Sequence, residues 1–122
     1  MSKKRFPQIG DVYWISPNFT SGREMKGPHR FIVITTERVN RLGVSITVPV
    51  TTGGSFARDN GISIPISGYD TTGVAVCNQV RSFDIESCLK DGAAKYIETL
   101  DRWLVDEIIS RVISIIDPSE LS

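Results

Sequence analysis

The chain has 122 residues with 40% hydrophobic and 23% charged side chains. That is the composition of an ordinary soluble globular domain, and the length predicts a single domain over 1–122. No apolar run approaches the ~18–20 residues of a membrane span; the best are Val12-Tyr13-Trp14-Ile15 and Phe31-Ile32-Val33-Ile34. The basic start Met1-Ser2-Lys3-Lys4-Arg5 has no apolar stretch behind it, so no secretory signal is expected and a cytoplasmic location is. Formal net charge is zero, but residues 1–58 carry nine Lys/Arg against three acids while residues 59–122 carry five against eleven. A half at +6 suits a polyanionic ligand, provided the separation along the chain survives as a separation in space.

In chain order, Gly10-Asp11 opens a strand over Val12 to Ser16, rich in aromatic and β-branched residues. Pro17 to Pro28 reads as a long polar loop. Phe31 to Thr36 is a strand apolar enough for burial on both faces. Glu37 to Leu42 is a helical turn ended by Gly43. Val44, Ile46, Val48 and Val50 alternate on one face of the next strand, and Ile62, Ile64 and Ile66 alternate on another. Between them Thr51-Thr52-Gly53-Gly54-Ser55 starts a second polar loop, which runs to the turn dipeptide Asn60-Gly61. Tyr69 to Gly73 is a turn before a strand at Val74 to Cys77; Asn78 to Asp84 continues through a turn and a short strand, and Ala94 to Glu98 forms the last.

The period then changes. Leu100, Trp103, Leu104, Ile108, Val112, Ile115 and Ile116 recur at three and four, with Thr99 as N-cap, Asp101 in the first turn and Pro118 as the stop. Trp103 is expected in the core or in a dimer contact. Five or six short strands and one amphipathic helix predict a mainly β fold with α, a small closed or half-open barrel.

Much chemistry is excluded. There is one histidine, His29, and two cysteines, Cys77 and Cys88, so these residues cannot by themselves complete a four-ligand zinc site. P-loop, GxGxxG and CxxC patterns are missing, and Gly53-Gly54 is not followed by Lys-Ser/Thr. No cofactor and no metal is expected. What remains is two polar loops, Ser21 to Arg30 and Thr51 to Arg58. On their own these residues also fit plain roles: Glu24 and Arg30 as a surface ion pair, Thr51 and Thr52 as turn hydroxyls, His29 as a solvated ring, and Phe56 as a cover for one end of the barrel.

The order and spacing of Gly10-Asp11-Val12, Ser21-Gly22-Arg23-Glu24, His29-Arg30, Val48-Pro49-Val50-Thr51-Thr52-Gly53-Gly54, Phe56-Ala57-Arg58, Thr72-Gly73-Val74 and Asn78-Gln79-Val80-Arg81 resemble the MazF/PemK (Kid) toxins of bacterial toxin–antitoxin pairs, over nearly the whole chain. The resemblance implies an SH3-like, CcdB-like β-barrel with a C-terminal helix. It also implies a metal-independent, sequence-specific endoribonuclease acting on single-stranded mRNA. In that reaction the ribose 2′-hydroxyl attacks the adjacent phosphorus, leaving a 2′,3′-cyclic phosphate and a 5′-hydroxyl. A base for the 2′-proton, an acid for the leaving 5′-oxygen and a cation for the phosphoryl charge are then required.

By resemblance Glu24 is the base, Arg30 the cation and Thr51 the residue that orients the phosphate. Arg30 is a poor proton donor, and His29 titrates nearest neutrality, so His29 is the better acid on chemistry. RNA contacts are expected from Arg23, Lys26, Thr52, Phe56, Asn78 and Gln79. The PemK-type Arg-x-Asp is replaced here by Val76-Cys77-Asn78, which moves the burden of catalysis onto Glu24, Arg30, His29 and Thr51. The implied partners are a second copy of the chain, with Ile109 and Ile113 in the contact, and a cognate antitoxin with an acidic, poorly ordered tail. DNA would be met only through the antitoxin complex, and no membrane. Two other classes stay open: a catalytically weakened member that binds RNA or antitoxin, and a gyrase poison of the CcdB kind. The latter depends on a terminal Trp-Gly-Ile, whereas this chain ends Asp117-Pro118-Ser119-Glu120-Leu121-Ser122.

Overall fold

The computed structural model describes residues 5–17, 27–52, 61–117 and 119. Seven strands and three helices follow in order: β1 Asp11–Ile15, β2 His29–Val33, α1 Glu37–Asn40, β3 Ser45–Thr51, β4 Ser63–Ile66, β5 Gly73–Val76, β6 Arg81–Phe83, α2 Ile85–Lys90, β7 Ala94–Thr99 and α3 Arg102–Ile116. All pairings are antiparallel, in the order β4-β5-β3-β2-β1-β7, with β6 also on β3. No ladder joins β4 to β7 among the described residues, so the expected barrel is half-open.

The period-2 pattern explains the layering. Val12, Ile32, Val48 and Val50 point to one face, join Ile64, Ile66 and Ala75, and are covered by Leu104, Val105, Ile108 and Val112 of α3. Tyr13, Ile15, Phe31 and Val33 point to the other face, where a smaller cluster forms with Ile85 of α2. The central strand is thus buried on both sides, as its unbroken apolar run requires. β3 departs from the expected single apolar face. Val48 and Val50 are buried, but Val44 and Ile46 are 50% and 37% exposed, because this half of β3 lies beside the short β6 and outside the cover of α3.

Asp11 is wholly buried and fully engaged. It accepts from Arg5 through both oxygens (2.6 and 3.1 Å), from the Gln8 amide (2.9 Å) and from Thr99 Oγ1 (2.7 Å). Burial and the Asp11 charge push the Tyr13 phenol well above its ordinary range.

Thr99 is therefore not the N-cap of α3. Its pairing opposite Asp11 keeps it in β7, and Asp101 takes the cap position while its carboxylate accepts from the Tyr69 hydroxyl at 2.7 Å. Nor is Trp103 a core residue. It is 62% exposed, because the side of α3 turned to the sheet is set by Leu104, Val105, Ile108 and Val112, and Trp103 falls outside that stripe. The short helix α2 has no counterpart in the sequence reading; Asp84 caps it by accepting from the Ser87 amide at 3.0 Å.

Candidate active site

Strand register collects the predicted residues at one end of the sheet. His29 and Arg30 are the first two residues of β2, not loop residues; they stand opposite Ile15 and Trp14 of β1, and Arg30 stands opposite Val50 of β3. Thr51 is the next residue and the last of β3, paired with Val74 of β5, and Thr52 follows it, exposed. Strand alternation then has a consequence. Arg30 shares the face of Val50, whereas Thr51 and His29 belong to the face of Phe31. A phosphodiester held by both Arg30 and Thr51 must straddle the rim of the sheet.

The Arg30 guanidinium is held in place. Its Nη1 donates to Thr71 Oγ1 at 2.9 Å, and its other donors have no partner among the described residues. Thr71 is buried, and its amide donates to Glu98 Oε2 at 2.6 Å, while the amide of Asp70 donates to Oε1 of the same carboxylate at 3.3 Å. Glu98, in β7, thus clamps the turn that orients the arginine. Neither Thr71 nor Glu98 was singled out in the sequence: they lie 41 and 68 positions from Arg30 in a chain where only folding relates them.

Gly73 completes the corner. Its φ of +126° is one that a side chain resists, and a Cβ there would lie 2.2 Å from the carbonyl oxygen of Thr51. The β5 backbone can pack against Thr51 only because the residue is glycine.

His29 Nδ1 lies 3.1 Å from the Gly27 carbonyl oxygen. A carbonyl only accepts, so Nδ1 carries the proton and Nε2 is left to take or return one. The ring meets Phe31 edge-on at 6.4 Å.

Asn78 and Gln79 sit in the turn between β5 and β6, alongside the middle of β3; Asn78 is exposed and Gln79 half-buried. They are near the rim cluster but not within it. Val76 is wholly buried, so that position contributes packing and no polar group. Arg23, Glu24, Lys26 and Phe56 lie outside the described residues. The chain leaves the described part at Pro17 and Thr52, both beside this strand end, and Gly27 returns it there.

The geometry defines a small half-open antiparallel barrel with a covering C-terminal helix, carrying an oriented arginine and a threonine on one rim. The family described as PemK-like, MazF-like toxin of type II toxin-antitoxin system matches residues 8–116, and the chain belongs to it. The chain is 31% identical to endoribonuclease PemK of Escherichia coli over 117 residues, 93% of this chain and 85% of that one. It is 32% identical to endoribonuclease toxin ChpB of E. coli K12 over 120 residues, 96% and 100% of the two chains. Among solved structures, MazF of Deinococcus radiodurans superposes with a TM-score of 0.78 at 18% identity, covering 93% of this chain and 98% of that one. A MazE–MazF structure from the same organism gives 0.71 at 20%, covering 93% and 98%. These two likenesses show the fold. No helix is long and apolar enough to cross a membrane among the described residues.

Proposed function

We propose that the chain is a metal-independent endoribonuclease toxin that cuts single-stranded mRNA at a short sequence and is neutralised by a cognate antitoxin. The ribose 2′-hydroxyl attacks the adjacent phosphorus, the 5′-oxygen leaves, and the products are a 2′,3′-cyclic phosphate and a 5′-hydroxyl. The observation that carries the reading is the arginine at the rim. Arg30 is fixed through one nitrogen by Thr71 and, among the described residues, keeps the rest of its fork for phosphate oxygens, one strand away from Thr51. A donor oriented before the substrate arrives needs no reorganisation as charge builds on the phosphoryl oxygens.

In this mechanism Glu24 draws the 2′-proton, Thr51 orients the scissile phosphate and His29 protonates the departing 5′-oxygen. Arg23, Lys26, Thr52 and Phe56 hold the strand, and Asn78 and Gln79 read base edges. A DNA strand in the groove would not react, because it lacks the nucleophile. The toxin acts in the cytoplasm as a homodimer. The endoribonuclease relatives, at 31% and 32% identity over nearly the whole chain, support the activity, and the MazE–MazF structure supports an antitoxin partner.

Arg30→Ala is the test. Cleavage of a long single-stranded RNA in the presence of chelator should fall at least a hundredfold with the melting temperature nearly unchanged, since the side chain is half-buried and makes one hydrogen bond among the described residues. Wild-type cutting by that variant refutes the assignment.

A second reading is favoured by one feature, the apolar Val76 and neutral Asn78 where the PemK pattern carries ionisable groups. In it the chain binds RNA or antitoxin and turns over slowly. Retention of RNA without cyclic-phosphate products from the wild-type protein would select it.

A further inference from the structure

On the face of the sheet that carries Thr51 and His29, a cavity of about 280 Å³ opens between β1, β6 and α2. Its walls include Ile15, Arg81, Phe83, Asp84, Ser87 and Asp91. The Arg81 guanidinium lies over the Phe83 ring at 5.1 Å, and that ring packs edge-on against Phe31 at 4.8 Å. Arg81 Nη1 is covered from solvent and has no hydrogen-bond partner among the described residues. A covered guanidinium nitrogen without an acceptor is a costly exception in a folded protein, and the exception stands at the wall of a cavity.

We propose that this cavity is a base-binding subsite of the RNA groove, and that it takes a nucleobase bearing a carbonyl oxygen next to a ring N–H, guanine or uracil. The inference rests on the ribonuclease reading and deepens it. The carbonyl of such a base supplies the acceptor that Arg81 lacks, and its N–H groups meet the acceptors of the opposite wall, Asp84, Asp91 and the Ser87 hydroxyl. Asp84 Oδ1 is occupied by the Ser87 amide, and its other oxygen has no partner among the described residues and is available for this. The flat base continues the stack begun by Arg81 on Phe83. A phosphate is the wrong guest, because two carboxylates share the walls. Adenine and cytosine present an amino group where Arg81 needs an acceptor.

Placement supports the same conclusion. Arg81 pairs with Thr47, four residues before Thr51 on β3, so both lie on one face about 13 Å apart. The turn that carries Asn78 and Gln79 runs between them. An RNA strand whose phosphate sits at Thr51 can therefore lay a neighbouring nucleotide along β3 and into the cavity.

The experiment uses the full-length Arg30→Ala protein, so that binding is read without cleavage. Fluorescently labelled single-stranded oligonucleotides carry G, U, A, C or an abasic residue at each position in turn. The expected result is one position at which G or U binds at least tenfold tighter than A, C or the abasic site, and at which Arg81→Gln and Arg81→Lys both abolish the difference. Lysine keeps the charge and loses the planar fork, so rescue by Arg81→Lys overturns base reading in favour of a phosphate contact. An equal loss of affinity for every oligonucleotide in the Arg81→Gln variant overturns it in the same way, and unchanged preference overturns it outright. A second arm does not need RNA binding: ¹⁵N spectra of the Arg81 side chain are recorded with guanosine, uridine, adenosine and inorganic phosphate. Shifts with the first two alone support the subsite even if the chain cuts no RNA. Shifts with phosphate alone, or with none of the four, overturn it.

Discussion

The two faces of the sheet are built differently. Under α3 the apolar side chains of five strands and one long helix close into the larger core, with Ile108 and Val105 fully buried at its centre and the Arg30–Thr71 pair only at its rim. Among the described residues the opposite face holds a cluster of five buried side chains, capped by the six-residue α2, and leaves room beside them for His29, Thr51 and the Arg81 cavity. One face stabilises the fold by area removed from water; the other accepts a smaller core so that polar side chains can stand at a groove. A fold of this size can open a groove from its rim onto one face only if the other is sealed well enough to hold the sheet.

Truncating each face breaks or sharpens that contrast. Ile108→Ala should cost about 2–5 kcal/mol, because α3 and the strands around it are too constrained to refill the space. Ile85→Ala on the smaller face should sit at the low end of that range, since α2 is short and borders existing space into which its neighbours can relax. Urea midpoints of the two variants decide the matter, and equal losses would mean that both faces bear the fold alike. In RNA cleavage the order should reverse, with Ile108→Ala nearly normal below its melting temperature and Ile85→Ala impaired.

A smaller effect tests whether the rim is prepared in advance. Thr71→Val keeps the shape of a buried side chain and removes the oxygen that fixes Arg30. It should lower kcat/KM about tenfold, or ~1.4 kcal/mol of transition-state stabilisation. The loss should fall on kcat, because a freed guanidinium still attracts the phosphate but no longer waits in place. A change confined to KM would show that Thr71 only shapes the binding surface.

How much of this could be read before folding depends on the range over which each signal acts. Alternation in Ile62-Ser63-Ile64-Pro65-Ile66 and the 3.6 period from Leu104 to Val112 are local, and both are realised in β4 and α3. The strand end that gathers Arg30 and Thr51 was legible only through motif order, since nothing local says that residues twenty-one apart pair one step off register. Thr71 and Glu98 carried no local signal, because hydroxyls in turns and acids in strands are ordinary until a distant arginine needs them. α2 was missed because six residues make fewer than two turns and show no period, although Asp84 three residues before Ser87 is a capping signal. Thr99 misled because a capping residue type and a strand residue look alike until β1 supplies Asp11 as a partner.

The least of the expected effects concerns Cys77, which follows β5 inside the sealed core, whereas Cys88 lies half-buried on α2. Burial pushes the Cys77 thiol from its ordinary 9.0 up to about 11, against a smaller opposing pull from Arg111. The folded thiol therefore stays protonated at a pH where the unfolded one has ionised. Its contribution to stability is complete below about pH 9 and is lost as pH rises through about 11, roughly 1 kcal/mol by pH 10. Urea midpoints between pH 8 and pH 10.5 should fall, and Cys77→Ala should flatten that fall, leaving the steeper decline at higher pH that the buried Tyr13 phenol brings. If Cys77 were instead alkylated as fast as Cys88 in the native protein at pH 8, the face under α3 would be opening to solvent, and the contrast between a sealed side and a working side would not hold.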